Sequence, residues 1–205
     1  TALVVQSRNK ERVNVYLDGD YGFSLTLIEA ARLHRGQVLS DDEIAALKAQ
    51  DAIEQAVDRA VRFLSYRPRS SSEIRRYLAQ KGVEPLAIDA ALDRLQTLGY
   101  VDDRAFARFW VANRDEFNPK GPLALRQELR EKGIPAAIIE QALAEVDFAD
   151  AAWRAVERRA GRWQQLDRRA FQQKVYQFLA RRGFLAETVA DVTSRLLEEL
   201  WIPDV

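Results

Sequence analysis

The first thirty residues alternate between apolar and polar positions. Residues 13–17 read Val-Asn-Val-Tyr-Leu and residues 21–25 read Tyr-Gly-Phe-Ser-Leu, with Asp-Gly-Asp between them. An Asp-Gly turn between two segments of period two predicts a β-hairpin, and the Leu-Val-Val of residues 3–5 is a candidate third strand. Because an isolated hairpin is marginally stable in water, we expect this segment to pack on a neighbouring element.

From about residue 27 the apolar positions recur with the period of a helix. Ser40 and Glu43 have the spacing of a capping box, and Ile44 and Leu47 follow on one helical face. The long helical tract then starts near Asp51. The pattern therefore predicts short helices before residue 50 and long ones after it.

The helical tract contains three copies of one pattern, Leu-x-x-(Lys/Arg)-Gly-apolar. The copies centre on Gly82, Gly133 and Gly183, which are separated by 51 and 50 residues. A glycine after a basic last turn closes a helix in the left-handed conformation. Apolar residues recur eight positions before, six after and thirteen after each glycine, namely Ile74, Leu125, Val175, Ile88, Ile139, Val189, Leu95, Val146 and Leu196. Each glycine therefore separates the second and third helices of a three-helix repeat.

Proline and capping residues mark the other turns of the repeat. Segments 67–70 and 118–121 separate the first helix from the second, Ser70 and Glu73 form a second capping box, and Pro85 and Pro135 suit a first helical turn. The predicted domains are an N-terminal β-hairpin with short helices over 1–50 and three-helix repeats over 51–100, 101–147 and 148–205. Since one such repeat buries little alone, we expect a mainly α fold whose repeats stack into an elongated curved array.

Composition excludes several classes of protein. The chain has 205 residues, 31 basic and 31 acidic, and no cysteine, so disulfides and thiolate metal sites are absent. No apolar segment approaches the roughly 20 residues that span a bilayer, and the N-terminus becomes charged too early for a secretory signal. We expect a cytoplasmic protein without membrane contact.

No residue pattern indicates catalysis. His34 is the single histidine, and the sequence contains no phosphate-binding glycine loop. Asp102 and Asp103 precede a helical segment, where capping explains them better than acid–base or metal chemistry. The aromatic residues mostly fit helical cores, although Trp163, next to Arg162, is a candidate for stacking on a nucleic-acid base. We predict a protein that is not an enzyme, with no catalytic, cofactor-binding or metal-binding residues.

Positive charge is concentrated in the third repeat. Residues 154–182 contain nine basic and two acidic residues, a net charge of +7. Such a segment suits an acidic protein or a phosphate backbone, or it is a solvated helix surface whose acids come from neighbouring repeats. Basic positions also recur earlier, since Arg69, Arg75 and Lys81 align with Lys120, Arg126 and Lys132.

Residues 56–147 contain several motifs that the repeat alone does not require. They are Arg67-Pro68-Arg69-Ser70, Glu73-Ile74-Arg75-Arg76-Tyr77-Leu78, Lys81-Gly82, Leu98-Gly99-Tyr100-Val101-Asp102-Asp103, Phe106-Ala107, Gly121-Pro122, Leu125, Glu128-Leu129 and Lys132-Gly133-Ile134. Together they resemble the signature of the RecX family of recombination regulators. The third repeat, which lacks the proline and the glycine-rich turn, resembles the family less closely.

The resemblance implies a bacterial cytoplasmic protein that binds the RecA filament. Members of the family lodge in the filament groove on DNA and usually inhibit the recombinase, ATPase and coprotease activities of RecA in DNA repair, recombination and the SOS response. We expect a monomer without a small-molecule substrate or cofactor, with single-stranded DNA in the filament as a second contact. A direct single- or double-stranded DNA-binding protein and a general protein scaffold are the alternatives.

Basic side chains are the predicted contacts to the partner, because they form charge-assisted hydrogen bonds with acidic surfaces or phosphates. The predicted residues are Arg67, Arg69, Arg75, Arg76, Lys81, Lys120, Arg126, Arg130, Lys132, Arg158, Arg159, Arg162, Arg168, Arg169, Arg181 and Arg182.

Overall fold

The computed structural model of the chain describes residues 1–200, which form three strands and ten helices. The chain divides into a first compact unit, Thr1–Val101, and a second that begins at Asp102. The elements are β1 Ala2–Val5, β2 Arg12–Leu17, β3 Asp20–Thr26, α1 Leu27–Ala30, α2 Asp41–Leu64, α3 Ser71–Gln80, α4 Pro85–Thr97, α5 Asp103–Phe117, α6 Pro122–Glu131, α7 Ala136–Leu143, α8 Phe148–Trp163, α9 Arg168–Arg181 and α10 Ala186–Leu200.

The N-terminal strands form one antiparallel sheet in the order β1-β2-β3, which confirms the hairpin and the third strand. The turn between β2 and β3 places Asp18 at φ 50° and Gly19 at φ 94°, a left-handed pair that an Asp-Gly sequence tolerates. Alternate residues of β2 and β3, among them Val15 and Leu25, are fully buried. The sheet therefore has one apolar face, which the start of α2 covers through Ile44 and Leu47.

Helix α2 is continuous for 24 residues, because no glycine or proline interrupts Asp41–Leu64. Ser40 and Glu43 form the predicted capping box at its start. The domain boundary predicted at residue 50 lies inside this helix. Its first half packs on the sheet, and its second half contributes Ala56 and Ala60 to the core of the first repeat.

Three three-helix repeats follow, as the spacing predicts. They comprise the second half of α2 with α3 and α4, then α5–α7, then α8–α10, and each has its own apolar core. Gly82, Gly133 and Gly183 have φ values of 75°, 76° and 79° after the second helix of each repeat. Eight of the nine matched apolar positions are buried and Val146 is half-buried. Residues 201–205 of the predicted third repeat lie outside the described residues, and the elongated curved array stays a prediction.

One proline differs from its predicted place. Pro85 is the first residue of α4, as predicted, whereas Pro135 is the N-cap of α7, which begins at Ala136. Its φ of −60° suits either position, and the residue after it supplies the first helical amide.

The second and third repeats meet through their backbones. The amide of Gly121 donates to the Arg182 carbonyl at 2.9 Å, and the amide of Leu123 donates to the Gly183 carbonyl at 3.1 Å. A Cβ atom on Gly121 would overlap the Gly183 carbonyl, and one on Gly183 would overlap the Ala124 amide. Both glycines are therefore required for this close approach.

Candidate functional site

Among residues 1–200, no cluster of three histidine or acidic residues could hold a metal ion. Asp102 caps α5, because its carboxylate accepts hydrogen bonds from the Arg104 and Ala105 amides at 2.7 and 3.1 Å. The bond from the Ala105 amide contributes most to lowering the pKa of Asp102. This confirms the capping interpretation of the carboxylate pair.

The length and polarity of the helices decide whether any of them can cross a membrane. Within residues 1–200, every helix is too short or too polar to cross a bilayer.

A cluster of cationic and aromatic side chains joins the first two helices of each repeat, and we call it the helix clamp. In the first repeat Phe63 stacks on Tyr77, with ring centroids 4.1 Å apart. The Arg69 guanidinium lies 3.9 Å from the Phe63 centroid, and the Lys81 ammonium lies 5.7 Å from that of Tyr77. Burial lowers the pKa of Arg69, and Arg67 lowers it further. Stacking and cation–π contacts therefore hold this clamp together.

In the second repeat the clamp centres on a carboxylate. Glu128, at the position of Tyr77, accepts hydrogen bonds from Trp110 at 2.7 Å, from Arg114 at 2.9 Å and from Lys120. Burial raises the pKa of Glu128, but the hydrogen bonds from Lys120, Arg114 and Trp110 together outweigh burial and lower it. One acid thus pairs with two cations of this clamp.

In the third repeat the clamp has no carboxylate. Phe178 is the buried central residue, and Trp163 packs edge-on against it at 5.5 Å. The guanidiniums of Arg159 and Arg182 lie 5.0 and 4.7 Å from the Phe178 centroid. Burial lowers the pKa of Arg182, and the charge of Arg159 lowers it further. Because Trp163 packs against the core, it is poorly placed for the stacking on bases that its sequence neighbours suggested.

A second interaction recurs between the second and third helices of the first two repeats. Arg75 pairs with Asp89, and Arg126 pairs with Glu140 through two hydrogen bonds of 2.7 Å. The hydrogen bond from Arg126 lowers the pKa of Glu140. The third repeat has the uncharged Tyr176 in the position equivalent to Arg126. The mid-helix arginines that sequence reasoning assigned to a partner therefore have acidic partners within their own repeats.

Several other predicted contact residues are also bound within the chain. Arg67 pairs with Glu73 at 2.8 Å. Arg182 donates to the Asn118 side chain at 2.7 Å and to the Pro119 carbonyl at 2.9 Å, which ties the third repeat to the second. These contacts, with those of Arg75 and Arg126, give Arg67 and Arg182 a role within the fold.

Four of the remaining predicted residues are exposed on α8 and α9. Arg158 and Arg162 lie one turn apart on α8, and Arg168 and Arg169 occupy the first turn of α9. None of the four forms an ion pair with a described residue. The first turn of α9 contains no acid, although a helix N-terminus favours negative charge. We call these four residues the α8–α9 basic surface; Arg130 and Arg181 likewise form no ion pair with a described residue.

Sequence reasoning missed the acid at the centre of the second clamp and the exposed ring of Phe117. The 51-residue offset aligns Phe63 and Tyr77 with Arg114 and Glu128. This replacement of an aromatic pair by two opposite charges could have indicated the ion pair from the sequence alone. Phe117 ends α5 with 72% of its surface exposed, and no apolar periodicity marks such a residue as exposed.

Four family models match the chain. They are the "Regulatory protein RecX N-terminal domain" at residues 1–40 and the first, second and third three-helix domains of RecX at residues 56–95, 102–143 and 145–193. The matches extend over the sheet and all three repeats.

Curated and solved relatives agree with these models. "Regulatory protein RecX" of Listeria monocytogenes serovar 1/2a is 33% identical, over 100% of this chain and 78% of the relative. The protein of the same name from Bacillus licheniformis is 34% identical, over 97% and 76%. A crystal structure of regulatory protein RecX superposes with a TM-score of 0.78 at 29% identity, covering 94% of this chain and 97% of that one. RecX from Lactobacillus salivarius gives a TM-score of 0.67 at 25% identity, covering 72% and 97%.

Proposed function

This chain belongs to the RecX family of regulatory proteins, and on that premise we propose that it binds the RecA filament and inhibits its recombinase, ATPase and coprotease activities. The name of the relatives supports a regulatory role, and the filament is the partner that the family resemblance implies. In this proposal the protein acts in the bacterial cytoplasm as a monomer, without a cofactor of its own.

The α8–α9 basic surface is the observation that supports a macromolecular partner most directly. In the first two repeats, acids of the same repeat pair with the mid-helix arginines, whereas Arg158, Arg162, Arg168 and Arg169 have no described acid partner. Arg168 and Arg169 follow the Asp167 cap in the first turn of α9, where positive charge opposes the helix dipole. Charges that destabilise their own helix are favourable when a partner supplies the anion.

A RecA ATPase assay on single-stranded DNA tests the proposal. Adding the protein should lower the rate of ATP hydrolysis in a concentration-dependent way. Bovine serum albumin at the same concentrations controls for non-specific loss of RecA. An unchanged rate, together with no co-sedimentation with the filament, would reject the proposal.

Direct binding to DNA is the competing function, since the same arginines could contact phosphates. A salt titration with a single-stranded oligonucleotide in the absence of RecA separates the two functions, because several phosphate contacts give a steep dependence of affinity on salt. Strong, salt-dependent binding to DNA alone would favour the competing function. If the protein captured another protein in preference to RecA, a general scaffold would be favoured.

A further inference from the structure

The clamp of the second repeat gathers its hydrogen-bond donors around one carboxylate. Its central Glu128 receives hydrogen bonds from Trp110, Arg114 and Lys120. In the third repeat Phe178 occupies the central position, and the guanidiniums of Arg159 and Arg182 lie 5.0 and 4.7 Å from its ring centroid without forming an ion pair with a described carboxylate. The central position of the clamp is therefore a carboxylate in the second repeat and an aromatic ring in the third.

A pocket with a volume of about 340 Å³ opens beside these two arginines, where the third repeat meets the second. Its walls include the exposed ring of Phe117, Pro119, Arg158 and the Arg159–Arg182 pair. Arg154 also lines it, but its charge is balanced by Asp115 and Asp150, each at 2.6 Å. The cations of the pocket that form no ion pair with a described residue are Arg158, Arg159 and Arg182, and the carboxylates of Glu116 and Glu157 line the same pocket.

We propose that this pocket binds an acidic side chain of a partner protein, held by Arg159 and Arg182, with a neighbouring apolar side chain packed on Phe117. The identity of the partner rests on the proposed function, whereas the chemistry of the pocket does not. Arginine forms paired hydrogen bonds with a carboxylate, and aromatic rings and arginines that become buried on binding are typical of the residues that dominate protein interfaces.

Two features favour a protein segment over a nucleic-acid strand. Glu116 and Glu157 also line the pocket, and their carboxylates repel a chain that carries a charge on every phosphate. A protein segment can place one acid between the arginines and present uncharged groups to these two glutamates. The apolar surface of Phe117 and Pro119 then gains burial that a phosphodiester backbone does not provide.

Binding of a short probe peptide tests the inference. The probe is a fluorescein-labelled peptide of alternating aspartate and leucine, and its control has asparagine in place of aspartate. Fluorescence anisotropy measures affinity for the full chain, and amide chemical shifts locate the contact. We expect the acidic peptide to bind and to shift the Phe117 and Arg159 amides, and we expect the asparagine peptide to bind at least roughly tenfold more weakly.

Arg159→Gln is the informative variant and Lys174→Gln is its matched control. Both residues are exposed cations of the third repeat, but only Arg159 lines the pocket. Arg159→Gln should weaken peptide binding roughly tenfold, Phe117→Ala should also weaken it, and Lys174→Gln should leave it within about twofold. Equal weakening by Arg159→Gln and Lys174→Gln, or displacement of the peptide by an equimolar single-stranded oligonucleotide, would overturn the inference.

The two proposals fail separately. If the protein inhibits the RecA ATPase but the peptide does not bind, the pocket assignment is wrong and the proposed function stands. If the peptide binds at the pocket but RecA is unaffected, the proposed function is wrong and the pocket assignment stands.

Discussion

Arg12 of β2 and Asp51 of α2 are joined by two parallel hydrogen bonds of 2.5 and 2.8 Å, and the carboxylate is almost fully buried. Gln55 also donates to Asp51 at 2.7 Å, and Ser24 accepts from Arg12 at 2.7 Å. Every strong acceptor of this network is occupied, so the pair fixes the sheet to the middle of α2.

Asp51→Ala should therefore be strongly destabilising. The substitution leaves the largely buried Arg12 guanidinium without a carboxylate partner. We expect this to lower the free energy of unfolding by about 3 kcal/mol. Urea unfolding followed by circular dichroism measures the loss. Glu199→Ala is the control, since Arg195 and Glu199 form an exposed pair on α10 that contributes no more than about 0.5 kcal/mol. Equal effects of the two substitutions would contradict the role of Asp51.

Glu128→Gln should make stability less dependent on acid pH. The pKa of Glu128 is lowered from its ordinary value of 4.5 in the folded protein, so the unfolded chain takes up the proton more readily. The stability contributed by the carboxylate is present above that ordinary value and is lost as pH falls through the lower folded-state pKa. We expect the variant to be less stable by about 1–3 kcal/mol at pH 7 and the gap to narrow below pH 4. A gap that is constant between pH 7 and pH 3.5 would refute this assignment.

Gly183→Ala and Gly82→Ala should differ in their effects although both glycines have a positive φ. Each substitution introduces the left-handed strain of about 1–2 kcal/mol. At Gly183 the new methyl group also meets Ala124, whose Cβ would lie 2.7 Å away, whereas nothing lies within 4 Å at Gly82. We expect Gly183→Ala to cost a further 1–3 kcal/mol or so, measured by thermal and urea unfolding. A smaller loss of stability for Gly183→Ala than for Gly82→Ala would contradict this prediction, because it would mean that the second and third repeats shift to accommodate the methyl group.

Reversing two charges of the α8–α9 basic surface should weaken binding to the RecA filament. We expect Arg168→Glu with Arg169→Glu to lower the affinity roughly tenfold, because each exposed charge contributes up to about 1 kcal/mol. Folding should be preserved, since acids suit the start of α9. Arg8→Glu with Lys10→Glu makes the same change of net charge in the exposed loop before β2 and is the control. Co-sedimentation with the filament at two salt concentrations provides the measurement, and equal losses in both variants would indicate general charge attraction only.

Local patterns were sufficient for most of the fold. The Asp18-Gly19 turn predicts the hairpin because few other residues adopt its backbone conformation, and Gly82, Gly133 and Gly183 predict the helix ends for the same reason. Ser40 and Ser70 form the two capping boxes that their spacing from a glutamate predicts. Each of these features depends on neighbours within a few residues.

Contacts between distant residues were not predictable in this way. Arg182 binds Asn118 across 64 residues, and the contact depends on how two repeats pack. Spacing shows that Arg75 and Arg126 are equivalent, but it does not show that Asp89 and Glu140 neutralise them. A list of basic residues therefore overestimates the surface that remains for a partner, because pairing is a property of the folded repeat.

Because α2 is continuous, the direction in which side chains of its first half point fixes the direction for its second half. Asp51 must point at the sheet while Ala56 and Ala60 point into the first repeat, all from one rod. One residue inserted between Asp51 and Ala56 would turn the later half by about 100° and advance it by about 1.5 Å. The shared helix therefore fixes the orientation of the sheet relative to the first repeat. We expect an exchange of the N-terminal segment between relatives to succeed only where the helical register of α2 is preserved.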